Sequence, residues 1–471
     1  MGATYSGDRN RVRFGVFGIG LAAYWPQFPG VKEGIEADIG RIRDRIAEWS
    51  DVVDGGLVDT AQVGVEIGDM FGQERVDLIF CFVGTYSTST QVLPVVQRAG
   101  VPIVLLNLQP VPAMDYASAD TTVALKNGGV CAVPELAGVF VRAGLAHGIV
   151  TGHLQDDSIW DNVRGWCLAA QAAKSVRRGR FGMLGHTYPG MLDMSTDVEL
   201  VAGSLGSHIE ILEIDDLKDR VDAASEQQVA EQGVAFGERF DLTGDISRES
   251  MEWGSRVAVA LDKLVDDFSL DGLAYYYRGT GGDRIEQIAS SMIVGNTLLT
   301  ERGIPAAGEG DLKTAIAMKI MHELGVGGSF CEFCAMDFTE NFFVMGHDGP
   351  CHPFVADGKV KLKELKIFHG KKGGGLSVEM RAKSGPVTIL GLTQTRDGRL
   401  KMLVSEGESL PGPILNIGNS NHRLRFGNDL ARFLDAWCAE GPTHHVALGI
   451  GHVARDLKRV ATLLGIEVVQ V

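Results

Sequence analysis

No run of eighteen or more apolar residues occurs in this chain of 471 residues, so nothing in it is long enough to span a bilayer as a helix. Its seven cysteines are dispersed and odd in number, without the spacing of a disulfide framework, which reads as reduced thiols in a cytoplasm. Positive charge is in deficit. Lys and Arg total 44 against 60 Asp and Glu, a formal net charge of −16, which argues against nucleic acid or an anionic membrane as partner. No phosphate-cradling G-x-x-x-x-G-K-[ST] occurs. Gly18-Ile19-Gly20 is only a fragment of the dinucleotide fingerprint, because position 23 is alanine and the intervening residues are bulky. Behind its basic residues the N-terminus has no long apolar stretch, so it does not read as a secretory signal; Met1-Gly2 with Ser6 meets only the loose myristoylation pattern. There is neither an internal repeat nor a low-complexity tract.

What the chain does have is length for two or three domains and 45% hydrophobic residues to fill their cores. Short apolar runs alternate with helical periodicity in the first third. Strands are expected at Val12–Gly18, Asp77–Val83 and Val101–Leu108, with helices at about Gly30–Trp49 and Thr90–Ala99, the latter closed by Gly100. That alternation implies a parallel sheet covered on both faces, with the loops Gly18–Pro29 and Gly84–Thr90 facing a cleft. A second such unit begins near Gly179. Its expected strands are Phe181–Gly185, His208–Ile214 and Asp271–Tyr277. Its helices are Ala224–Glu238, Ser250–Phe268 and an amphipathic Leu312–Leu324, with a turn at Gly281-Gly282.

After about residue 326 the pattern changes to alternation, at Lys359–Phe368, Leu376–Ala382, Val387–Thr395 and Lys401–Ser405. Asp357-Gly358 and Asp397-Gly398 are hairpin signals. A helix at His452–Leu464 and a strand at Ile466–Val471 close the chain. The expected fold is therefore α/β, with two doubly wound parallel-sheet domains (1–178 and 179–325) and a β-rich, barrel-like C-terminal domain (326–471).

Four segments carry chemistry. Glu309 and Asp311 lie just ahead of the helix starting near Leu312, where free backbone N–H groups and the dipole favour carboxylates. Asp311 alone reads as the helix cap and Glu309 as a solvated loop residue. Glu332 sits in an expected strand between apolar neighbours, a costly place for a carboxylate without a partner or a metal. Cys331, Cys334, Cys351 and His352 offer a rival zinc set, although SFCEFCAMDF contains neither Gly nor Pro for the tight knuckle that C-x-x-C ligands need. His347 follows Gly346 at the end of an apolar run. His444-His445 precedes VALGIG, and in an extended segment the two rings point opposite ways.

The segments GEGDLKTA (308–315), SFCEF (329–333), VMGH (344–347) and THHV (443–446) resemble the metal-site segments of the L-arabinose isomerase family, within the arabinose/fucose isomerase-like group. Residues 84–109 and VTGHLQDD (150–157) resemble its first-domain cleft segment and its G-H-x-Q-D motif. The resemblance implies that Glu309, Glu332, His347 and His445 hold one divalent metal, with Glu309 and Glu332 also acting as the acid–base pair. Carboxylates with imidazoles suit Mn²⁺ first, then Co²⁺, Mg²⁺ or Zn²⁺. Asp311 is expected to orient Glu309. His186 and Met183 are expected near the substrate, and His153 in the site of a neighbouring subunit, so that the protein would be a homo-oligomer, a hexamer or a subset of one. The implied activity is metal-dependent aldose–ketose isomerisation of a free sugar, a pentose or related aldose, through a cis-enediol; a non-catalytic sugar- or metal-binding protein is the alternative. The stretch GIGLAAYWPQFPG (18–30) lacks the Gln and Tyr pattern of the arabinose pocket, so the sugar itself is left open.

Overall fold

A computed structural model describes residues 11–278, 284–365 and 374–471. The N-terminal reading at residues 1–10, the Gly281-Gly282 turn and the Phe368 end of an expected strand lie outside them. The described residues divide into two compact units: 11–174 with Lys458–Gly465, and Ser175–Leu457 with Ile466–Val471.

The first unit is built on five parallel strands: β1 (Arg13–Ile19), β2 (Asp51–Val58), β3 (Leu78–Val83), β4 (Ile103–Gln109) and β5 (His147–His153). They run in the order β2-β1-β3-β4-β5. All six residues of β3 are buried, as a parallel strand covered on both faces requires. Between β2 and β3 the helix Ala61–Gln73 packs so closely on the helix Ser89–Ala99 that a Cβ on Gly64 would meet the Gln91 carbonyl oxygen at 2.1 Å. Gly64→Ala is expected to cost about 1–3 kcal/mol or more by overpacking a backbone contact that cannot yield. A denaturant midpoint equal to the parent's would contradict that packing.

The second unit opens with a smaller parallel sheet of β6 (Arg180–Gly185), β7 (His208–Leu212), β9 (Gly272–Tyr276) and β10 (Ala306–Ala307), in the order β10-β9-β6-β7. The chain leaves β6 towards β7 on one side and returns to β9 on the other. Loops after β6 and β9 therefore diverge, and a crevice opens beyond their carboxyl ends. The helix Leu312–Glu323 is not amphipathic as expected: Leu312 to Met321 are all buried, including Lys313 and Lys319. Both lysines are satisfied internally, Lys319 by the Gly303 carbonyl at 2.8 Å and by Glu323.

A closed antiparallel barrel follows. Its six strands are β11 (Gly327–Asp337), β12 (Phe342–His347), β15 (Gly385–Gln394), β16 (Leu400–Ser409), β17 (Ser420–Arg425) and β18 (His445–Ile450). They pair as β15-β18-β11-β12-β17-β16, and β16 closes back on β15. Among the described residues, β19 (Glu467–Gln470) adds to β16 in parallel, while β8 (Asp241–Leu242), β13 (Lys361–Glu364) and β14 (Leu376–Glu379) form a side sheet. Asp397-Gly398 turns the β15–β16 hairpin, with Gly398 at φ 78°. Asp357-Gly358 turns the chain ahead of β13 but joins no hairpin. The expected α/β fold with two parallel sheets and a barrel-like β region is the one observed.

Two histidines are buried away from the site, His422 in β17 and His352 at the start of the short turn Pro353–Val355. Burial pushes His422 down to about 4, and burial with the neighbouring His322 pushes His352 down to about 3. Unfolded, each returns to about 6.5. Below that value the unfolded chain takes up protons that the fold refuses, so the stability is fully present above pH ~6.5 and is lost as pH falls towards ~4. Each ring contributes a slope of about 1.4 kcal/mol per pH unit in that window. Denaturant midpoints should fall steeply from pH 6.5 to 4.5. His422→Asn keeps an acceptor for the Ala382 N–H, which the ring now accepts at 3.0 Å, and should flatten the fall. An unchanged slope in that variant would contradict the assignment.

Candidate metal centre

The site forms where the crevice of the smaller parallel sheet meets one rim of the barrel, within the second unit. On the rim, ladder register does the placing. Glu332 of β11 is paired with His445 of β18 on one side and with Gly346 of β12 on the other. Directly opposed residues in an antiparallel pair share a face, so Glu332 and His445 point the same way, and His347 follows one residue beyond the ladder. From the parallel sheet, β10 delivers Gly308-Glu309-Gly310. Glu309 has φ 59°, a left-handed conformation that costs a non-glycine residue about 1–3 kcal/mol and is stored preferentially at functional positions. The Tyr188 N–H, donated to the Glu309 carbonyl at 2.9 Å, helps hold that turn.

Among the described residues, two groups of side chains come close enough to hold an ion. Glu309, His347 and His445 form one; Glu332, His444 and His445 form the other; in each, the ligand atoms lie within 4.8 Å of one another. The four expected ligands are distributed over these two groups, which share His445. Glu309 Oε2, His347 Nδ1 and His445 Nε2 are buried without a hydrogen-bond partner. Glu309 Oε2 faces His445 Nε2 at 3.5 Å, and His347 Nδ1 lies 3.1 Å from Asp348 Oδ1, both within ion-pair distance. Buried polar atoms left unmatched are expensive, and a carboxylate with two imidazoles is a donor set suited to a divalent cation, so these residues fit one. Neither group includes a cysteine. Cys331 is buried, Cys334 sits at the register shift between Phe333 and Ala335, and both remain free thiols, as does Cys351.

Asp311 has no exposed surface and does two jobs. It caps the helix Leu312–Glu323, accepting from Thr314 N at 3.0 Å and Thr314 Oγ1 at 2.8 Å. It also accepts from His445 Nδ1 at 3.0 Å. The bond goes to His445 and not to Glu309, the residue it was expected to orient. Taking the proton on Nδ1 leaves the Nε2 lone pair aimed into the site. Burial pushes the Asp311 carboxyl up, but His445 and the Thr314 N–H outweigh it and hold it below the usual range. Burial likewise opposes ionisation of Glu309 and is overcome by His444, His347 and His445. His445 is pushed down by burial; His347 is also penalised by burial, but Asp348 with Glu332 and Glu309 raise it above its ordinary value.

Three neighbours were not legible in the sequence. Phe330 packs its ring 4.5 Å from that of His347 and 4.3 Å from that of His445, an apolar wall behind both imidazoles. His444 was set aside on the rule that successive rings of a strand diverge. It precedes the first residue of β18, however, and its ring lies 4.0 Å from that of His445. Glu309 and Asp193 push its pKa up to about 9 against the cost of burial. Tyr276 lines a cavity of about 70 Å³ together with Tyr188, Tyr277, Glu309, His347 and Asp348. Of the other expected residues, His186 stands at the exposed edge with its ring 5.2 Å from that of Tyr276, and Met183 is half-buried within β6. His153 ends β5 in the first unit, where its Nδ1 is buried without a partner.

Comparison with known proteins gives a consistent picture. The family described as L-fucose isomerase, C-terminal domain, matches residues 334–471. An L-arabinose isomerase from a Nocardioides species is 23% identical over 387 residues, 79% of this chain and 75% of its own. One from Acidothermus cellulolyticus is 24% identical, over 78% of this chain and 75% of its own. A third, from Clavibacter sepedonicus, is 21% identical over 74% and 70%.

Proposed function

We propose, from the premise that the chain is a relative of the L-arabinose isomerases within the arabinose/fucose isomerase-like group, that it is a metal-dependent aldose–ketose isomerase acting on a free sugar. The observation that carries this reading is the trio Glu309, His347 and His445, whose buried ligand atoms Oε2, Nδ1 and Nε2 all lie within reach of one point. A divalent cation, Mn²⁺ by the hardness of the carboxylates, would be held by Glu309, Glu332, His347 and His445 and would supply polarisation of a sugar carbonyl.

The chain's own residues then move the protons. One of the two carboxylates, Glu309 or Glu332, takes the proton from C2 of the open-chain aldose. The C2–H electron pair becomes the carbon–carbon double bond of a cis-enediol as the C1=O π pair moves onto O1. The proton returns to C1 and the hydroxyl proton passes from O2 to O1, giving the ketose with no net change of redox state. Positioned acid–base catalysis of this kind is worth about 10²–10⁴-fold. Phe330 keeps water from the rear of both imidazoles, and the tyrosines at 188, 276 and 277 offer the sugar hydroxyls partners and its carbon faces a platform.

The finer expectations stay with this proposal: Mn²⁺, the division at residues 178 and 325, a cytoplasmic protein, and a homo-oligomer of up to six subunits in which His153 enters a neighbour's site. No helix among the described residues is long and apolar enough to cross a membrane. Incubation of the protein with a panel of tetroses, pentoses and hexoses, read as ketose formed, is expected to find at least one substrate. Binding of a sugar with no turnover under any metal would favour the non-catalytic alternative.

A further inference from the structure

The four-ligand reading leaves His444 without a task, yet the surrounding structure fixes it with some care. Its Nε2 is 3.8 Å from Glu309 Oε2, and with Glu332 and His445 it forms the second of the two groups able to hold an ion. Its Nδ1 lies 2.6 Å from Asp193 Oδ2, and its backbone N–H donates to that same oxygen at 3.0 Å. His445 is arranged on the same plan, with Nδ1 on Asp311 Oδ2 at 3.0 Å and Nε2 facing Glu309 Oε2 at 3.5 Å. An imidazole whose Nδ1–H is taken by a carboxylate directs its Nε2 to the far side, the usual posture of a metal-binding histidine, where a bound cation would replace any proton on Nε2. Two consecutive histidines, each backed by its own aspartate, thus present Nε2 to one carboxylate.

Asp193 comes from a distant part of the sequence, in the short turn Leu192–Met194. A buried ammonium holds that turn in place. Lys313 Nζ donates to the Asp193 carbonyl at 3.0 Å, the Ser195 carbonyl at 3.1 Å and Thr196 Oγ1 at 3.2 Å. Lys313 is 1% exposed and sits two residues after Asp311. Burying a cation is costly unless its donors are matched, and here three neutral oxygens of one strap match them. One helix start therefore carries Asp311, which sets His445, and Lys313, which sets the strap of Asp193, which sets His444.

We propose that the cation centre has five side chains, not four: His444 is a further ligand, and Asp193, anchored by Lys313, is its positioning residue. This rests on the reading of the site as a cation centre. The test is a calorimetric titration of chelator-stripped protein with Mn²⁺ at neutral pH, using the parent, His444→Gln, Asp193→Asn and Glu309→Gln. Mn²⁺ affinity should fall about 10–100-fold in His444→Gln and in Asp193→Asn. Pulsed electron paramagnetic resonance of the bound Mn²⁺ should show nitrogen couplings from three imidazoles in the parent and from two in His444→Gln, a signature that a merely structural role would not move. If Asp193→Asn does not fold, His444→Gln carries the test, because its ring lies at the open side of the site.

Affinities within twofold of the parent in both variants, with unchanged nitrogen coupling, would overturn the proposal while leaving a four-ligand centre intact, provided Glu309→Gln still loses the ion. A parent that takes up no Mn²⁺ would overturn the cation reading and this proposal together.

Discussion

Glu309→Gln should lower ketose formation by about 10²–10⁴-fold and should also lower the stability of the metal-free fold at pH 7. The two halves of that expectation have different causes. Activity falls because the amide cannot take a proton from carbon and is a poorer donor to a cation. Stability falls because His444, His347 and His445 hold the Glu309 carboxyl below the usual range against the cost of burial, an attraction the amide forgoes. The neutral isostere also deprives the His444 ring of the carboxylate that does most to raise its pKa, while the backbone stays as it was. Glu309→Gly loses the same charge but relieves the strain, because glycine adopts that backbone conformation freely; in the ion-free protein it should melt above Glu309→Gln while abolishing turnover. Initial rates with the best aldose and thermal melts with and without Mn²⁺ decide the matter. A Gln variant with the parent's rate would remove Glu309 from the chemistry.

Asp311→Asn should be nearly as damaging, although Asp311 touches no substrate. Its Oδ2 accepts from His445 Nδ1, and an asparagine amide placed there either meets that N–H with its own donors or forces the ring into the other tautomer. In the second case Nε2 carries the proton and is lost to the cation, so Mn²⁺ affinity should fall about 10–100-fold. The stability cost is separate. Loss of a charge-assisted hydrogen bond inside the fold is worth about 1.5–3 kcal/mol, and the helix cap weakens as well. Asp311 is held below the usual carboxylate range, so its stabilisation is present above pH ~4 and is lost as pH falls through its lowered value. The variant should therefore melt lower at pH 7 and converge on the parent in acid. Equal Mn²⁺ affinities would show that the aspartate serves only the helix.

Much of this architecture could be read in the amino-acid order, because the signals were physically strong. The fully apolar β3, the Gly100 stop and the Asp397-Gly398 hairpin each follow from one local rule. β2 and the helix after it were missed: DVVDGGLV interrupts its apolar alternation with two glycines, and the register shifts opposite Gly55. The helix Leu312–Glu323 was misread because lysines normally mark a wet face, whereas these two are matched inside. Among the site residues, Glu332, His347 and His445 stand out as polar groups beside apolar strands. Asp193 and Phe330 do not, since nothing local says that a turn 251 positions away will bond His444 or that one phenylalanine of many will back two imidazoles.

The most direct test of the central claim is to strip the protein with a chelator, confirm the loss of metal by elemental analysis, and follow ketose formation as Mn²⁺ is added back. The account expects no turnover in the stripped protein and full recovery at one equivalent of Mn²⁺ per chain. Undiminished turnover by the verified metal-free protein would contradict it.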